Sequence, residues 1–450
     1  MCLIQITDNH HGWKRITDCL QEQPSEQDLS IIKKDLVKIA NIEIGNLTLE
    51  GNPNLLVFPR DLRQYGDEIS ESHIISLRDD EISTGNIMGF VGVKDTQLDI
   101  KSRFAKEDGN DYFLHYMLQK VFSINLFDIK HTTNQEDVFD FLVYLFPHFL
   151  KKALAQGLFK KYRRFEYNDA NIRGNIDVNR HIRENIPFRG TVAYSTREHS
   201  YDNEITQLVR HTIEYIRSKE FGANILNNDP ETKNCVMQIS LATQSYNVRE
   251  RMKVINQNLR PVRHPYYSAY TDLQNLCLRI LRHESIKYGQ EKDKVYGILF
   301  DGAWLWEEYL NTILEKRGFE HPENKKHKGG FPMFEKESDD DAISKNSRRL
   351  YPDFWKDDFI LDAKYKHLNN GVGREDLYQV VTYMYCRKAK NGAYVYPFEE
   401  EIDIISYELN KTYGYGGIIR VIPFYVPQSS TTYTSFIEGI VLSEKIIESL

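Results

Sequence analysis

The sequence predicts a multidomain α+β protein, and three observations predict it. Short alternating apolar and polar runs fill the first quarter of the chain. Apolar residues at helical spacing fill the middle. Strand-like and helix-like stretches interleave in the last third. A mixed sheet between helices is the expected product of that last pattern. At 450 residues the chain is long enough for two or three such domains.

Residues 1–109 read as a mostly β N-terminal domain. Its strand candidates are Leu36-Val37-Lys38-Ile39-Ala40, Leu47-Thr48-Leu49, Leu55-Leu56-Val57-Phe58 and Ile87-Met88-Gly89-Phe90-Val91-Gly92-Val93, broken by Gly, Asn and Asp. Gln21 to Asp28 reads as a loop or the start of a helix. From residue 110 the period changes. Tyr112, Leu114, Met117, Leu118, Val121 and Phe122 fit one helix, and Val138 to Gly157 fits a second. Pro147 inside the second predicts a kink or a break. Helical spacing returns from Ile205 to Lys219 and again after Tyr270. These stripes read as core packing, so residues 110–290 form a helical middle region with an irregular segment at 165–200. Residues 291–450 form the third domain. In order it has a helix carrying Glu307, a strand from Phe331 to Lys336, a hairpin, a helix carrying Gln379, strands at 393–396 and 417–426, and a closing helix from Ser435. Asp339-Asp340-Asp341 reads as a solvated turn rather than a ligand cluster.

The most informative stretch runs from Tyr351 to His367. It places Asp353 at the mouth of one strand, then a polar turn, then a second strand ending in Asp362-Ala363-Lys364. Strand side chains alternate faces, so Asp362 and Lys364 point the same way, opposite to Leu361. The hairpin then brings Asp353 alongside. Two hard carboxylates converging on one point hold a divalent cation, and a nearby ammonium steadies the hydroxide it helps form. That is the minimum equipment for hydrolysing a phosphodiester. The plain alternative is an edge strand with a cross-strand Asp–Lys salt bridge.

Pro352-Asp353 with Asp362-Ala363-Lys364 resembles the PD-(D/E)xK nuclease signature. The wider segment resembles the McrC family, the nuclease subunit of McrBC-type modification-dependent restriction systems, and is similar to LlaJI-type restriction subunits. Phe300 to Leu310 resembles the family's helix before the core, which implies Glu307 rather than Glu308 as the acid facing the site. Asp376-Leu377-Tyr378-Gln379 resembles the helix after the Lys strand, with Gln379 at the family's Gln position. Upstream, Arg173-Gly174-Asn175-Ile176-Asp177, Asp202-Asn203, the Gly89 to Val93 run and Leu98 to Phe104 also resemble family segments. Ser102 stands where the family usually has Pro. Residues 1–80 carry no such likeness.

The resemblance implies a restriction-endonuclease-like α/β domain at 291–450 and Mg²⁺ (or Mn²⁺) as cofactor. Asp353, Asp362 and the main-chain carbonyl of Ala363 would bind the metal, and Lys364 would orient or deprotonate the attacking water. Glu307 would act through a water or a second metal, and Gln379 would fix the water or a phosphate oxygen. The implied partners are an AAA+ GTPase of McrB type and double-stranded DNA, methylated where the system requires it. The N-terminal and middle regions would dock on the GTPase and stimulate its turnover.

The formal charge of -7 opposes a protein that grips DNA alone. Lys325, Lys326 and Lys328, with Arg348 and Arg349, border the metal site and are the candidates for DNA phosphates. No GxxxxGK[ST] loop and no HExxH is present, so nucleotide hydrolysis and zinc proteolysis are excluded. The five cysteines are scattered without CxxC spacing, which fits a reducing, cytoplasmic setting. No long apolar run reads as a membrane span. Two other functions stay open. One is a non-catalytic adaptor of an AAA+ NTPase with a relic nuclease fold, against which the intact acids and Lys argue. The other is a stand-alone DNA repair nuclease, against which the net charge argues.

Overall fold

The structure is a computed structural model. It describes residues 2–9, 12–20, 24–49, 52, 55–59, 71–94, 96–106, 111–122, 135–219, 222–227, 229–286, 295–322, 329–334, 349–368, 371–400, 408–413 and 416–450. The chain divides into two compact units, one of residues 1–130 with 291–450 and one of residues 131–290. The sequence predicts three consecutive stretches. The difference comes from long-range strand pairing, which local patterns do not carry. Val295–Asp301 pairs antiparallel with Ile87–Val93 and parallel with Leu55–Phe58, so it belongs to the N-terminal sheet.

That sheet has the order Cys2–Thr7, Thr96–Lys101, Ile87–Val93, Val295–Asp301, Leu55–Phe58. Ile4, Ile6, Val91, Leu98, Ile100 and Leu299 share one core with Ile32, Leu36, Ile39 and Ile44. Two expected strands are not strands. Leu36 ends the helix Glu26–Leu36 and is followed by a turn, and Leu47 to Leu49 lie in the helix Ile44–Leu49. A capping box between Ser25 and Asp28 starts the first helix. Apolar runs of three to five residues are too short to show a period, and packing decided them.

The C-terminal sheet has the order Phe354–Lys356, Phe359–Ala363, Asn391–Phe398, Ile418–Tyr425, Glu408–Lys411. Its two outer pairs are antiparallel and its inner pairs parallel, giving the mixed sheet expected. One face packs on the helix Arg374–Arg387 through Ile360, Val380, Tyr383, Met384, Tyr394 and Ile419. The other face packs on the helix Gly302–Leu314. There Trp306 and Tyr309 meet the ring of Phe424 at 5.2 and 5.8 Å. Ile419 and Phe424 have opposite parity in one strand, which is why they serve opposite faces. Full burial of each such apolar side chain stabilises by roughly 1.5–3 kcal/mol.

Gly302 opens the helix that carries Glu307. A Cβ there would lie 2.5 Å from the Tyr365 ring, so only glycine admits this approach. Phe331–Pro332 pairs with Arg349–Leu350; the strand expected at 331–336 is only these two residues long where described, since Met333 and Phe334 form a bend, and 335–336 lie outside the described residues.

In the second unit, the helix Gln135–Leu154 runs through Pro147 as one element, against the expected break. Val143, Leu145, Phe146, Phe149 and Leu150 are buried on either side of it, and that packing offsets the lost backbone hydrogen bond. The segment expected to be irregular is a sheet, ordered Lys161–Asp169, Val192–Ser200, Asn175–Ile176. Both faces of its first strand are largely exposed, so no apolar alternation marked it. All five cysteines are free thiols. Among the described residues no helix is long and apolar enough to cross a membrane.

Candidate active site

The hairpin that carries the two acids is built by a tight turn. Lys356 pairs with Phe359, leaving Asp357 and Asp358 as a two-residue loop. Asp357 takes φ 47°, a left-handed conformation that Asp tolerates better than most residues. The register Phe354 to Leu361, extended by one residue, sets Asp353 opposite Asp362. Asp353 Oδ2 accepts a hydrogen bond from the Ala363 N–H at 2.7 Å, which aims its carboxylate at the end of the second strand. The His321 ring stacks on Phe354 at 4.7 Å, and its Nδ1 lies 2.6 Å from the Asp353 carbonyl oxygen.

Asp362 is 1% exposed. Burial pushes its carboxyl up to about 7, with the Asp353 charge adding to the rise and Lys364 opposing it. Asp353 is also raised, again by burial first. Lys364 Nζ lies 2.9 Å from Asp362 Oδ2 and 3.1 Å from Asp376 Oδ1. Burial pulls the Lys364 ammonium down, but Asp362, Asp353 and Asp376 outweigh it and hold it charged. The Lys364 ammonium is thus the charge partner of the buried Asp362 carboxylate, and it is shared with Asp376.

Asp376 was not assigned a role from the sequence, and it is central here. It sits in the first turn of the helix Arg374–Arg387, with Oδ1 on Lys364 and Oδ2 on Lys366 at 2.6 Å. Burial opposes its ionisation, but the hydrogen bonds from Lys366 and Lys364 win and hold it below the usual carboxylate range. A signal for it existed. Lys364 and Lys366 share parity, so two cations face the helix that begins just before Asp376.

Gln379 is exposed, and its amide donates to the Tyr383 hydroxyl at 2.8 Å. Tyr383 in turn donates to the Tyr351 carbonyl at 3.4 Å. Gln379 therefore connects to the chain entering Asp353 rather than to the carboxylates. Burial raises the Tyr383 hydroxyl, and the charges of Asp353 and Asp362 add to it. Glu307 is half-buried on the helix Gly302–Leu314, which covers the face opposite Asp362 and Lys364. No three His, Cys, Asp or Glu side chains converge among the described residues, so Glu307 does not join Asp353 and Asp362 in a three-acid cluster.

Of the phosphate candidates, Lys325, Lys326, Lys328 and Arg348 lie outside the described residues, as does Asp339-Asp340-Asp341. Arg349 donates to the carbonyls of Gly329 and Gly330, at 3.0 and 2.9 Å.

The donor set fits a hard divalent cation. It offers two carboxylates and the Ala363 main-chain carbonyl, all oxygen donors gathered at the end of one strand pair. Mg²⁺ keeps several waters and is commonly held by only one or two carboxylates, so a third acid is not required.

Comparison with known proteins now decides the family. The model of the McrBC 5-methylcytosine restriction system component matches residues 82–397, more than half of the chain. The chain belongs to that family. No curated protein matches it. Two solved structures are similar. One is a chain of the refined half-complex from the tetradecameric assembly of Thermococcus gammatolerans McrB AAA+ hexamers with bound McrC. It is 16% identical with a TM-score of 0.43, covering 99% of this chain and 98% of that one. The other is a chain of the Thermococcus gammatolerans McrBC complex. It is 16% identical with a TM-score of 0.34, covering 70% of this chain and 87% of that one. The McrBC family match spans both acids, Lys364, Asp376 and Gln379.

Proposed function

We propose that this McrBC-family chain is the Mg²⁺-dependent (or Mn²⁺-dependent) endonuclease subunit of a restriction complex, with a PD-(D/E)xK-type site, cutting double-stranded DNA. The observation that carries the reading is the buried Asp362, with Asp353 beside it and Lys364 ion-paired to it at 2.9 Å. A salt bridge kept only for structure has no need of a second acid that pushes the first towards neutrality.

Asp353, Asp362 and the Ala363 carbonyl would hold the cation. When bound, it supplies a water of lowered pKa and neutralises charge on the phosphate. Lys364, kept charged by its three acidic neighbours, orients the attacking water and offsets the negative charge that grows on the phosphoryl oxygens. Asp376 holds Lys364 from the helix side, so the ammonium stays placed when the Asp362 carboxylate turns to the cation. The leaving 3′ or 5′ oxygen takes its proton from solvent. Glu307 acts at most through water from across the sheet. A partner AAA+ GTPase of McrB type supplies DNA affinity that the net charge of -7 denies this chain, and the N-terminal and middle regions dock on it and stimulate its turnover.

The test is plasmid cleavage by the full chain, co-expressed with the product of the adjacent reading frame, with Mg²⁺ and GTP or ATP. Asp362→Asn and Lys364→Ala each lower cleavage by roughly 10²-fold or more. Chelation by EDTA abolishes it, and circular dichroism of both variants matches the parent. Undiminished cleavage by either variant removes this site from the chemistry.

A further inference from the structure

Lys364 is the last residue whose N–H enters the C-terminal sheet, donating to Val395 O at 2.8 Å. The next residue, Tyr365, is taken up by a different part of the chain. Its hydroxyl pairs with Ser102 Oγ at 2.8 Å, and its ring meets Phe104 edge-on at 5.2 Å. Its carbonyl accepts from Arg103 Nη1 at 3.2 Å, and the Arg103 guanidinium sits 4.8 Å from its ring centre.

Arg103 is itself locked. Its backbone N–H donates to Asp8 Oδ1, its Nε and Nη2 donate to Asp8 Oδ2, and Nη2 also donates to Asn86 Oδ1 at 2.6 Å. The Arg103 side chain is 8% exposed and that of Asp8 0%. A buried ion pair held by several hydrogen bonds is a weak source of net stability but a strong source of geometry. Three distant segments meet here, at residues 8, 103 and 365, and the third begins directly after Lys364.

We propose that Arg103 is a positioning residue for the cleavage reaction. Held by Asp8, it pins the Tyr365 carbonyl and thereby fixes the backbone from which Lys364 reaches Asp362. The N-terminal sheet thus completes the site it does not line. This inference rests on the reading of Asp362 and Lys364 as the reacting site.

Two substitutions separate position from stability. Arg103→Ala removes both the ion pair and the carbonyl contact. Arg103→Lys keeps a charge for Asp8 but lacks the fork that reaches Asp8, Asn86 and Tyr365 together. In the full-chain cleavage assay Arg103→Lys restores the thermal midpoint lost in Arg103→Ala. It leaves kcat about 10-fold low with KM for plasmid DNA unchanged, the scale expected when a reacting group is misplaced. Hydrogen exchange read without metal or DNA gives an independent measure. The peptide spanning 360–368 exchanges faster in Arg103→Lys, while the 391–398 strand does not. If Arg103→Lys restores kcat along with stability, or the 360–368 peptide is unchanged, the inference is overturned. If Arg103→Lys does not fold, Arg103→Gln takes its place: its amide can still donate to Asp8 but cannot also reach Asn86 and Tyr365, and an unchanged kcat overturns the inference. The two readings fail differently. Cleavage that survives Asp362→Asn overturns both, whereas cleavage lost in Asp362→Asn but intact in Arg103→Lys overturns only this one.

Discussion

The hairpin Phe354–Ala363 and the longer one formed by Lys161–Asp169 and Val192–Ser200 are both rich in charge, and they treat it differently. In the longer hairpin, Arg164 pairs with Asp177 at 3.3 Å and Arg180 with Glu166 at 3.0 Å, and Lys161 pairs with Glu204. Arg164 and Glu166 have more than half of their side-chain surface exposed. Pairs of this kind contribute about 0–1 kcal/mol each. In the shorter hairpin, the buried Asp362 has a second acid, the half-buried Asp353, beside it, and Lys364 for a partner. Charge that folding could have left outside has been taken inside. On the proposed function, one hairpin is chemistry and the other scaffold. The family-like residues around the long hairpin have local explanations. A Cβ on Gly174 would lie 2.3 Å from Ser195 O, Asp177 caps the helix Val178–Glu184, and Asn203 caps Glu204–Arg217.

The largest effect that sharpens this comparison is the pH dependence of metal binding. Asp362 is raised to about 7, and a cation requires its ionised form. Apparent Mg²⁺ affinity therefore falls about tenfold per pH unit below 7 and levels off above it. The metal-free protein behaves in the opposite sense. A carboxyl with a raised folded pKa contributes stability that is full below its unfolded value and lost as pH rises through about 7. Thermal melts at pH 5, 6 and 8, with and without Mg²⁺, read both trends. Asp362→Asn flattens both. A Mg²⁺-induced shift that is the same at pH 6 and pH 8 breaks the contrast between the hairpins.

A smaller effect comes from Asp376. Asp376→Asn leaves Lys364 with Asp362 as its one direct ion-pair partner among the described residues, so the ammonium competes with the cation for that carboxylate. Cleavage falls about 10-fold, less than for loss of a ligand, and the Mg²⁺ concentration for half-maximal rate rises. Asp376→Glu recovers part of the loss. A variant with parental rate and Mg²⁺ dependence shows that Lys364 needs no support from the helix.

Much of this arrangement was legible in the sequence, and the parts that were not share a cause. The catalytic-type hairpin was readable because alternation and a polar turn are local, and because Asp362 and Lys364 share parity whatever the sheet does. The mixed sheet, the helices from Tyr112 and from Ile205, and the closing helix followed from periodicity. What escaped is non-local. Nothing near Val295 says that it will pair with Val93, and nothing near Arg103 says that it will meet Tyr365. Exposed strands escaped as well, since Lys161–Asp169 buries too little of either face to show a pattern. Asp376 was missed for a narrower reason. It lies one turn before Gln379 and carries no motif of its own, and only two lysines of one parity point to it.

The smallest expected effect tests the scaffold side. Asp177 accepts from Arg180 N at 3.1 Å as a helix cap and pairs with Arg164. Asp177→Ala removes both contacts and destabilises the chain by about 1 kcal/mol, the usual cost of a lost cap. Denaturant melts of the full chain give that figure. The Mg²⁺-induced thermal shift of the same variant stays at the parental value, because no acid of the cation site has changed. If Asp177→Ala instead leaves stability intact and abolishes the Mg²⁺ response, the long hairpin takes part in the chemistry, and the division between the two hairpins is drawn in the wrong place.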